Sequence, residues 1–406
     1  MLNQFDQWIN GEELIVGLAY EEILEPLEGA DAPMFPPTYA CNKLGYVIDE
    51  DKVRPGHNWC RIDTVQSQGN RIEPLFKGEK YRALAPQVEV KHPDESKTNL
   101  LDMGHRSADA GILFSDACAE LEKAYALARA ISDAALAKIN PTALIGGVWG
   151  SRSSGVKKAR IIRSEIMARD VTPLTHGVQY FPSHEHHKQV IEDGKVVKGW
   201  LPDVETGGKK NDPSEAKEDK SPYAQLGLVS QPVGRVRAGV VAHGLVTRRI
   251  SAHLEVLRHL RGETPEETLC LRRYILGLTL VALTAPLERF LRSGCTLIPV
   301  EGSNPVILAK YSQGLRKPVA LTHEEALAYA LEAAKDFGVG PDRLFTFDAQ
   351  KAHAAALKLV KDAQDKKNKK NKVKGKGKDE ENVEETNEES TEDSDSGTTV
   401  NDTFSM

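Results

Sequence analysis

The spacing of apolar residues along the chain predicts several helices. Alanine and leucine recur at helical spacing over residues 107–138, and a shorter apolar stripe predicts a helix over residues 60–77 with Asp63 as its N-cap. One later helix begins with Thr322 and has Glu325 three residues on, which is the spacing of a capping box. The helices predicted in the second half of the chain cover residues 251–261, 266–283, 322–336 and 348–363.

Strand-like patterns lie between these helices. Residues 143–149 and 156–166 are rich in apolar and β-branched side chains, and residues 226–250 alternate valine and leucine with glycine and arginine. Because strands and helices mix without a regular alternation of the βαβ kind, the pattern predicts an α+β fold.

Two segments have almost no apolar residues. Residues 203–222 read as a mobile loop inside a single domain of residues 1–364. Residues 365–406 contain a lysine block followed by an acidic block, which is typical of a disordered charged tail.

The overall charge gives no sign of a polyanion partner, because the formal net charge of the 406 residues is −6. The tail distorts that figure. Of the 53 basic and 59 acidic residues, eight lysines lie in residues 366–378 and eleven acids in residues 379–402, which leaves 45 basic and 48 acidic residues. The body is therefore close to neutral, and any surface for nucleic acid must be local.

Cysteine usage and hydropathy predict a cytoplasmic protein without a membrane segment. The five cysteines are scattered and form no CxxC pair, which is typical of reduced thiols. The first residues include acids and no long apolar run, so we expect no signal peptide. The most apolar segment, residues 274–291, is interrupted by Pro286 and is predicted to be a buried helix.

The stretch from Gly150 to Lys157 nearly spells a phosphate-binding loop. In such a loop lysine follows the second glycine directly, a serine or threonine comes next, and a helix begins there. Here Val156 separates Gly155 from Lys157, no hydroxyl follows, and the continuation resembles a strand. The pattern therefore argues against nucleotide hydrolysis.

The same stretch carries a local basic rim. Glycines let a ligand approach the backbone, and serine, lysine and arginine donors hold phosphates and sugars without reading sequence. An ordinary solvated hairpin would show the same charges, so both interpretations stay open. The basic residues of this rim are Arg152, Lys157, Lys158, Arg160 and Arg163.

Two other polar clusters are candidates for binding. Gln66 and Asn70 lie four residues apart, so they share one face of the predicted helix, with Arg71 beside it. His105 and Arg106 precede the alanine-rich helix, where a phosphate contact or a capping role is expected. A solvated helix face remains the alternative for the first cluster.

A histidine-rich segment does not have the spacing of a metal site. His184, His186 and His187 do not form an HExxH motif on a helix, so a surface loop is the simpler interpretation. The chain also lacks a G-x-S-x-G elbow and a dinucleotide fingerprint. The sequence therefore predicts no cofactor and no metal ligand.

Four blocks in this order resemble a known family. They are DTVQSQGNRIEPLF, GHRSADAGILF, GGVWGSRSSGVKKARIIRSEI and RRYILGLTLVAL. Together they are similar to the CRISPR-associated backbone subunit of type I-G effectors, formerly called I-U, in the RAMP superfamily. The resemblance covers roughly residues 60–300.

This resemblance implies a modified RNA-recognition-motif fold of ferredoxin-like ancestry with large insertions. It implies a subunit that is not an enzyme, with copies of itself lined up along one CRISPR RNA in a helical filament, beside the other subunits of a Cascade-type complex. The guide then pairs with target DNA, so base pairing reads the sequence and the protein reads the backbone.

The resemblance assigns RNA contact to the polar clusters described above, with Arg248 and Arg249 as weaker candidates. A metal-dependent ribonuclease, as in type III complexes, is the alternative function, and Asp31 on an N-terminal loop is its candidate catalytic residue. The residues expected to contact RNA are Gln66, Asn70, Arg71, His105, Arg106, Ser151, Arg152, Ser153, Lys157, Lys158 and Arg163.

Overall fold

The computed structural model confirms an α+β protein. It describes residues 2–37, 46–150, 155–180, 190–192, 195–197 and 231–376. The chain divides into two units, residues 1–347 and residues 348–406.

The elements of the first unit alternate irregularly between strand and helix. The strands are β1 (Ile15–Pro26), β2 (Ile48–Glu50), β3 (Asn58–Asp63), β4 (Val88–Lys91), β5 (Lys97–Asn99), β6 (Val148–Trp149), β7 (Lys157–Lys158), β8 (Ile162–Arg169), β9 (Val171–Tyr180), β10 (Val190–Glu192), β11 (Lys195–Val197), β12 (Gln231–Ala242), β13 (Val246–His253), β14 (Phe290–Arg292), β15 (Cys295–Pro299), β16 (Leu308–Tyr311), β17 (Arg316–Pro318) and β18 (Arg343–Thr346). The α-helices are α1 (Asp6–Asn10), α2 (Val65–Ile72), α3 (Ala110–Leu113), α4 (Cys118–Ala130), α5 (Ala134–Ala137), α6 (Thr142–Ile145), α7 (Leu254–Arg258), α8 (Pro265–Thr284) and α9 (His323–Phe337). Short 3-10 turns cover Leu2–Phe5, Glu73–Lys77, Arg82–Leu84, Leu100–Asp102 and Arg106–Ala108.

The centre of the main sheet has the strand order of a ferredoxin-like fold. Strands β16, β1, β13 and β8 lie side by side, and each neighbouring pair is antiparallel. In chain order these are the fourth, first, third and second strands, with helices between the first two and between the last two. This is the βαββαβ arrangement, so the fold is consistent with an RNA-recognition-motif core. Strands β3 and β2 extend the sheet beyond β8, and β15 and β14 extend it beyond β1.

Helix α8 fills the core behind one face of this sheet. All residues from Tyr274 to Leu283 are buried, which confirms the predicted buried helix. Gly277 lets α9 approach closely, because a Cβ at this position would lie 2.8 Å from the Cα of Ala330. Within the described part of the chain, no helix is long and apolar enough to cross a membrane.

The long helix predicted over residues 107–138 is wrong as a single element, because polar side chains interrupt it. The hydroxyl of Ser115 accepts a hydrogen bond from the amide of Ala117 just before α4, and the hydroxyl of Ser132 accepts one from the amide of Ala134, the first residue of α5. Serine offers the backbone such local bonds, which compete with a continuous helix. The alanine-rich segment therefore forms two separate helices, α4 and α5.

Two other predicted helices begin later or are shorter in the structure than the sequence pattern indicates. The helix predicted over residues 60–77 begins only after β3, and Thr64 is its N-cap instead of Asp63, whose side chain is buried. Most of the predicted helix over residues 251–261 belongs to the end of β13 and to the short α7. The capping box that begins α9 is confirmed.

Residues 143–149 were predicted as a strand, and residues 143–145 instead belong to the short helix α6, which ends at Gly146. Only Val148 and Trp149 are extended, in β6. The second unit consists of one described helix, α10 (Ala349–Lys376), which continues past the predicted start of the disordered tail. The loop predicted over residues 203–222 lies outside the described residues.

Strands β9 and β12 pair as a separate two-stranded ribbon that follows β8. The turn into it is made by Asp170, which has a φ of +52°, and the Asn58 side chain bonds both the amide and the carbonyl of Val171. On the opposite strand, Gly239 has a φ of +96° and lies against Met34, where a Cβ would be 2.3 Å from the carbonyl oxygen. The base of the ribbon is thus fixed on both strands.

His323, the first residue of α9, makes stability depend on pH. Its ring nitrogens bond the Tyr81 hydroxyl at 2.8 Å and the Thr284 hydroxyl at 3.0 Å, and burial lowers its pKa, with Lys80 adding to the effect. Because the unfolded chain then binds the proton more readily, the free energy of unfolding falls as pH drops through about 6.5. We expect His323→Gln to remove this part of the fall in the free energy of unfolding. Urea unfolding between about pH 8 and about pH 5 measures it.

The exposed His105 supplies the control for this measurement. His105→Gln should leave the difference between neutral and acid stability as it is in the unaltered protein, since this side chain is exposed. Parallel stability curves for His323→Gln and the unaltered protein would contradict the assignment.

Candidate nucleic-acid interface

Three chain segments meet at the first turn of α2. The side-chain amide of Gln66 donates to the Asn70 side chain at 3.2 Å and to the Gly104 carbonyl at 3.0 Å. The guanidinium of Arg160 in turn donates to the Gln66 side-chain oxygen at 3.3 Å. Gln66, Asn70 and His105, which follows Gly104 directly, are all exposed. The structure thus joins residues that lie nearly a hundred positions apart into one polar surface, called here the Gln66 surface.

Arg160 contributes a guanidinium to the Gln66 surface. Its guanidinium also donates to the carbonyl of Gly146 at 3.0 Å, so both of its hydrogen bonds in the described part of the chain go to neutral oxygens. Burial lowers the pKa of Arg160, and the nearby Arg106 and Arg163 lower it further, whereas the Glu73 carboxylate opposes this change; an arginine stays charged at neutral pH. Arg160 belongs to the predicted basic rim, but it is not among the residues that the sequence predicts to contact RNA.

Arg106 lies beneath this surface and is not available to a ligand. Its side chain is buried, and its guanidinium forms an ion pair with the buried Glu73. Burial raises the pKa of Glu73, and the Arg106 guanidinium opposes that rise. Arg106 also packs against Gly146, where a Cβ would lie 2.8 Å from its Nε. We therefore correct its predicted role from RNA contact to support of the site.

Arg71 is also engaged within the protein. Its Nε donates to the buried carboxylate of Asp63 at 3.0 Å, and its terminal nitrogen donates to the Leu291 carbonyl at 3.0 Å. Sequence spacing placed it beside Gln66 and Asn70, but the helix turns it toward β3 and β14. Its predicted place at the interface is corrected for that reason.

The two lysines of β7 point in opposite directions. Lys158 donates to the Ala128 carbonyl at 2.7 Å and lies 2.5 Å from the buried carboxylate of Asp133, so its charge is used inside the fold. Lys157 is exposed, and among the described residues no carboxylate forms an ion pair with it. Lys157 therefore remains a candidate for phosphate contact, and Lys158 does not.

The hairpin of β6 and β7 is closed by glycines. The amide of Gly155 donates to the Gly150 carbonyl at 3.0 Å, and Gly155 has a φ of +65°. The next elements are strands, as predicted, and not the helix that a nucleotide loop would need. The candidate contacts between these glycines, Ser151, Arg152 and Ser153, lie outside the described residues.

The open face of the central sheet carries the last candidates. Arg163 is exposed on β8 and bonds both carboxylate oxygens of Glu165 at 3.1 Å. Arg249 pairs with Glu21 on the same face, whereas Arg248 points into the core beside Glu22 and is 3% exposed. Arg163 and Arg249 can thus meet a ligand only in competition with their carboxylates, and Arg248 cannot meet one.

The candidate catalytic residue of the alternative ribonuclease function, Asp31, lies on the protein surface. Asp31 is exposed in the turn that follows β1. In the ranges that the structure describes, no three His, Cys, Asp or Glu side chains gather as a metal-ion site. The histidine-rich segment around His186 lies outside those ranges.

Comparison with known proteins gives a family match over part of the chain. Residues 18–173 match the model of a family described as CRISPR-associated protein GSU0053. The matched segment contains the Gln66 surface, the β6–β7 hairpin, most of β1 and all of β8. The match indicates a CRISPR-associated protein. No curated protein matches the sequence.

Proposed function

We propose that this CRISPR-associated chain is the guide-RNA-binding backbone subunit of a type I-G surveillance complex. Several copies would bind one CRISPR RNA side by side, together with the other subunits of a Cascade-type complex. The guide would recognise target DNA by base pairing, and this subunit would grip the RNA backbone without cutting it.

The convergence on the Gln66 surface of exposed polar side chains and a guanidinium that forms no ion pair with a described carboxylate carries the proposal. Amides, an exposed histidine and the guanidinium of Arg160 come together there, and Lys157 is exposed three residues before Arg160. Donors of this kind hold phosphate and sugar oxygens and do not read bases. A backbone subunit needs this property, because it must accept every guide sequence.

The charge of the protein fits binding in an array. A body that is close to neutral can pack against copies of itself, and head-to-tail contacts between copies generate an open filament. Each copy then needs only a few phosphate contacts, since the binding free energies add along the guide. The ferredoxin-like core supports the same assignment, because this core is common among RNA-binding domains.

Removing Arg160 or Lys157, which form no ion pair with a described carboxylate, should weaken RNA binding without changing sequence preference. We expect Arg160→Ala and Lys157→Ala each to lower affinity for single-stranded RNA and to reduce the slope of log affinity against log salt by about 1. Arg316→Ala is the matched control, since Arg316 is exposed on β17 at the other edge of the central sheet. Filter binding with two unrelated RNA sequences over a range of salt concentrations measures both quantities.

Two outcomes would contradict the proposal. Equal salt slopes for Arg160→Ala, Lys157→Ala and Arg316→Ala would remove these residues as phosphate ligands. Regular cleavage of complementary RNA by the assembled complex with magnesium, lost in Asp31→Ala, would establish the ribonuclease instead. Native mass measurement of the purified complex would show whether several copies travel with one RNA.

A further inference from the structure

Trp149 is the most exposed tryptophan whose side chain the structure describes. It stands on β6 with 70% of its side chain exposed. By contrast, Trp8 is 7% exposed, and the ring of Trp59 is covered by the Arg169 guanidinium at 4.3 Å. Burying an aromatic side chain is strongly favourable, so a tryptophan left in water on a short hairpin calls for a ligand or a partner.

The hairpin holds this ring in a fixed place. Trp149 pairs directly with Lys157, so the two side chains lie on the same face, and Val148 pairs with Lys158 on the other. The inner face is anchored, because Val148 is buried and Lys158 contacts Asp133. The outer face therefore presents an exposed ring beside an exposed ammonium group.

The surroundings of the ring favour an anionic ligand. From residue 139 to residue 164 the sequence contains five basic residues and no aspartate or glutamate. Lys158 is neutralised by Asp133 and Arg163 by Glu165, but Lys157 and Arg160 are not paired with a carboxylate in the described part of the chain. An aromatic ring flanked by such cations is the arrangement that proteins use to bind single-stranded nucleic acid.

We propose that Trp149 is a stacking platform for one base of single-stranded RNA, whose adjoining phosphate contacts Lys157. This inference rests on the proposed RNA-binding function and adds a base contact to it. Stacking tolerates any sequence, because every base has a π-face, so the contact suits a subunit that must accept all guides. A contact with a second copy of the chain is the competing occupant of this face.

Three variants on the intact protein test the platform. Trp149→Ala should lower affinity for a short single-stranded RNA roughly 5- to 150-fold, whereas Trp149→Phe, which keeps a ring, should stay within a few fold of the unaltered protein. Leu315→Ala is the control, since Leu315 is an exposed apolar residue next to β17, which belongs to a different sheet from this hairpin. Because Trp149 is exposed, unfolding of these variants should change little.

The salt slope and the fluorescence separate stacking from charge. Trp149→Ala removes no cation, so its salt slope should equal that of the unaltered protein, in contrast to Lys157→Ala. RNA should also quench part of the tryptophan emission, and Trp149→Phe should lose that quenching while it still binds. Loss of affinity together with these two signatures is the expected result.

The other outcomes overturn the inference in different ways. If the unaltered protein binds RNA and Trp149→Ala binds equally well, the platform is absent and the proposed function stands. If Trp149→Ala weakens self-association without RNA and leaves RNA affinity intact, the ring belongs to a contact between copies. If the unaltered protein binds no RNA, the proposed function and this inference fail together.

Discussion

Arg106→Ala should lower the free energy of unfolding by roughly 3–5 kcal/mol, because it breaks a buried ion pair and leaves a carboxylate without its partner. Arg106 and Glu73 have side chains only 6% and 4% exposed, so water cannot replace the lost contact. The substitution also removes the side chain that fills the space beneath Gly146. Urea unfolding of the unaltered protein and the variant measures the difference.

An exposed ion pair supplies the matched control. Arg82 contacts Asp342 at 2.8 Å, but these side chains are 59% and 54% exposed, so Arg82→Ala should change stability by less than about 1 kcal/mol. Replacing Arg106 and Glu73 together with methionine and leucine should recover much of the loss, since no lone charge then remains. Equal destabilisation by Arg106→Ala and Arg82→Ala would contradict the expectation.

Glu22→Ala should be similarly damaging, at roughly 3–5 kcal/mol, for a reason that involves two arginines. The Glu22 carboxylate accepts two hydrogen bonds from Arg289, at 2.8 and 2.9 Å, and lies 3.6 Å from the buried guanidinium of Arg248. Without Glu22, the charge of Arg248 would be left in the core uncompensated. Urea unfolding again measures the loss.

The neighbouring residue is the control for Glu22. Glu21 bonds Arg249 at 2.5 Å, but both side chains lie on the open face, with 45% and 41% exposed. Glu21→Ala should therefore cost no more than about 1 kcal/mol. If the two substitutions had equal effects, burial would not be the cause.

Glu22 is one end of a polar chain that runs across the sheet under α2. Arg248 donates to the Ser164 hydroxyl at 3.2 Å, and this hydroxyl donates to the Gln68 side chain at 2.7 Å. The Gln68 amide donates to Asp63 at 2.6 Å, and Asp63 also accepts from Arg71. This chain of hydrogen bonds explains why Arg71 and Arg248 are directed inward and away from any ligand.

The sequence predicted some of these features and not others, for physical reasons. It contains Glu21 and Glu22 in succession and Arg248 and Arg249 in succession. The sequence alone does not distinguish the two glutamates from each other, or the two arginines. Only the register, with Glu22 opposite Arg248 and Glu21 opposite Arg249, decides which pair is buried. Since strand side chains alternate between faces, a shift of one residue would exchange their roles.

Short-range sequence patterns predicted helices and their faces better than they predicted contacts between residues far apart in the chain. The α+β class, the buried helix α8 and the capping box of α9 follow from short-range patterns and are confirmed. The shared face of Gln66 and Asn70 was likewise predicted from helical spacing, and their side chains are in contact. By contrast, Arg160 reaches Gln66 across 94 positions, and no pattern along the chain marks such a contact.

The ribbon of β9 and β12 is long enough that a small rotation at its base would produce a large displacement at its far end. At about 3.3 Å per residue, the ten residues of β9 place its far end roughly 30 Å from its base, so a rotation of about 10° there sweeps that end through roughly 5 Å. Asp170 and the Asn58 side chain lie at the base of the ribbon, where they fix the direction in which it leaves the sheet. Substitutions at the base would thus change the direction of the ribbon without altering any residue at its far end.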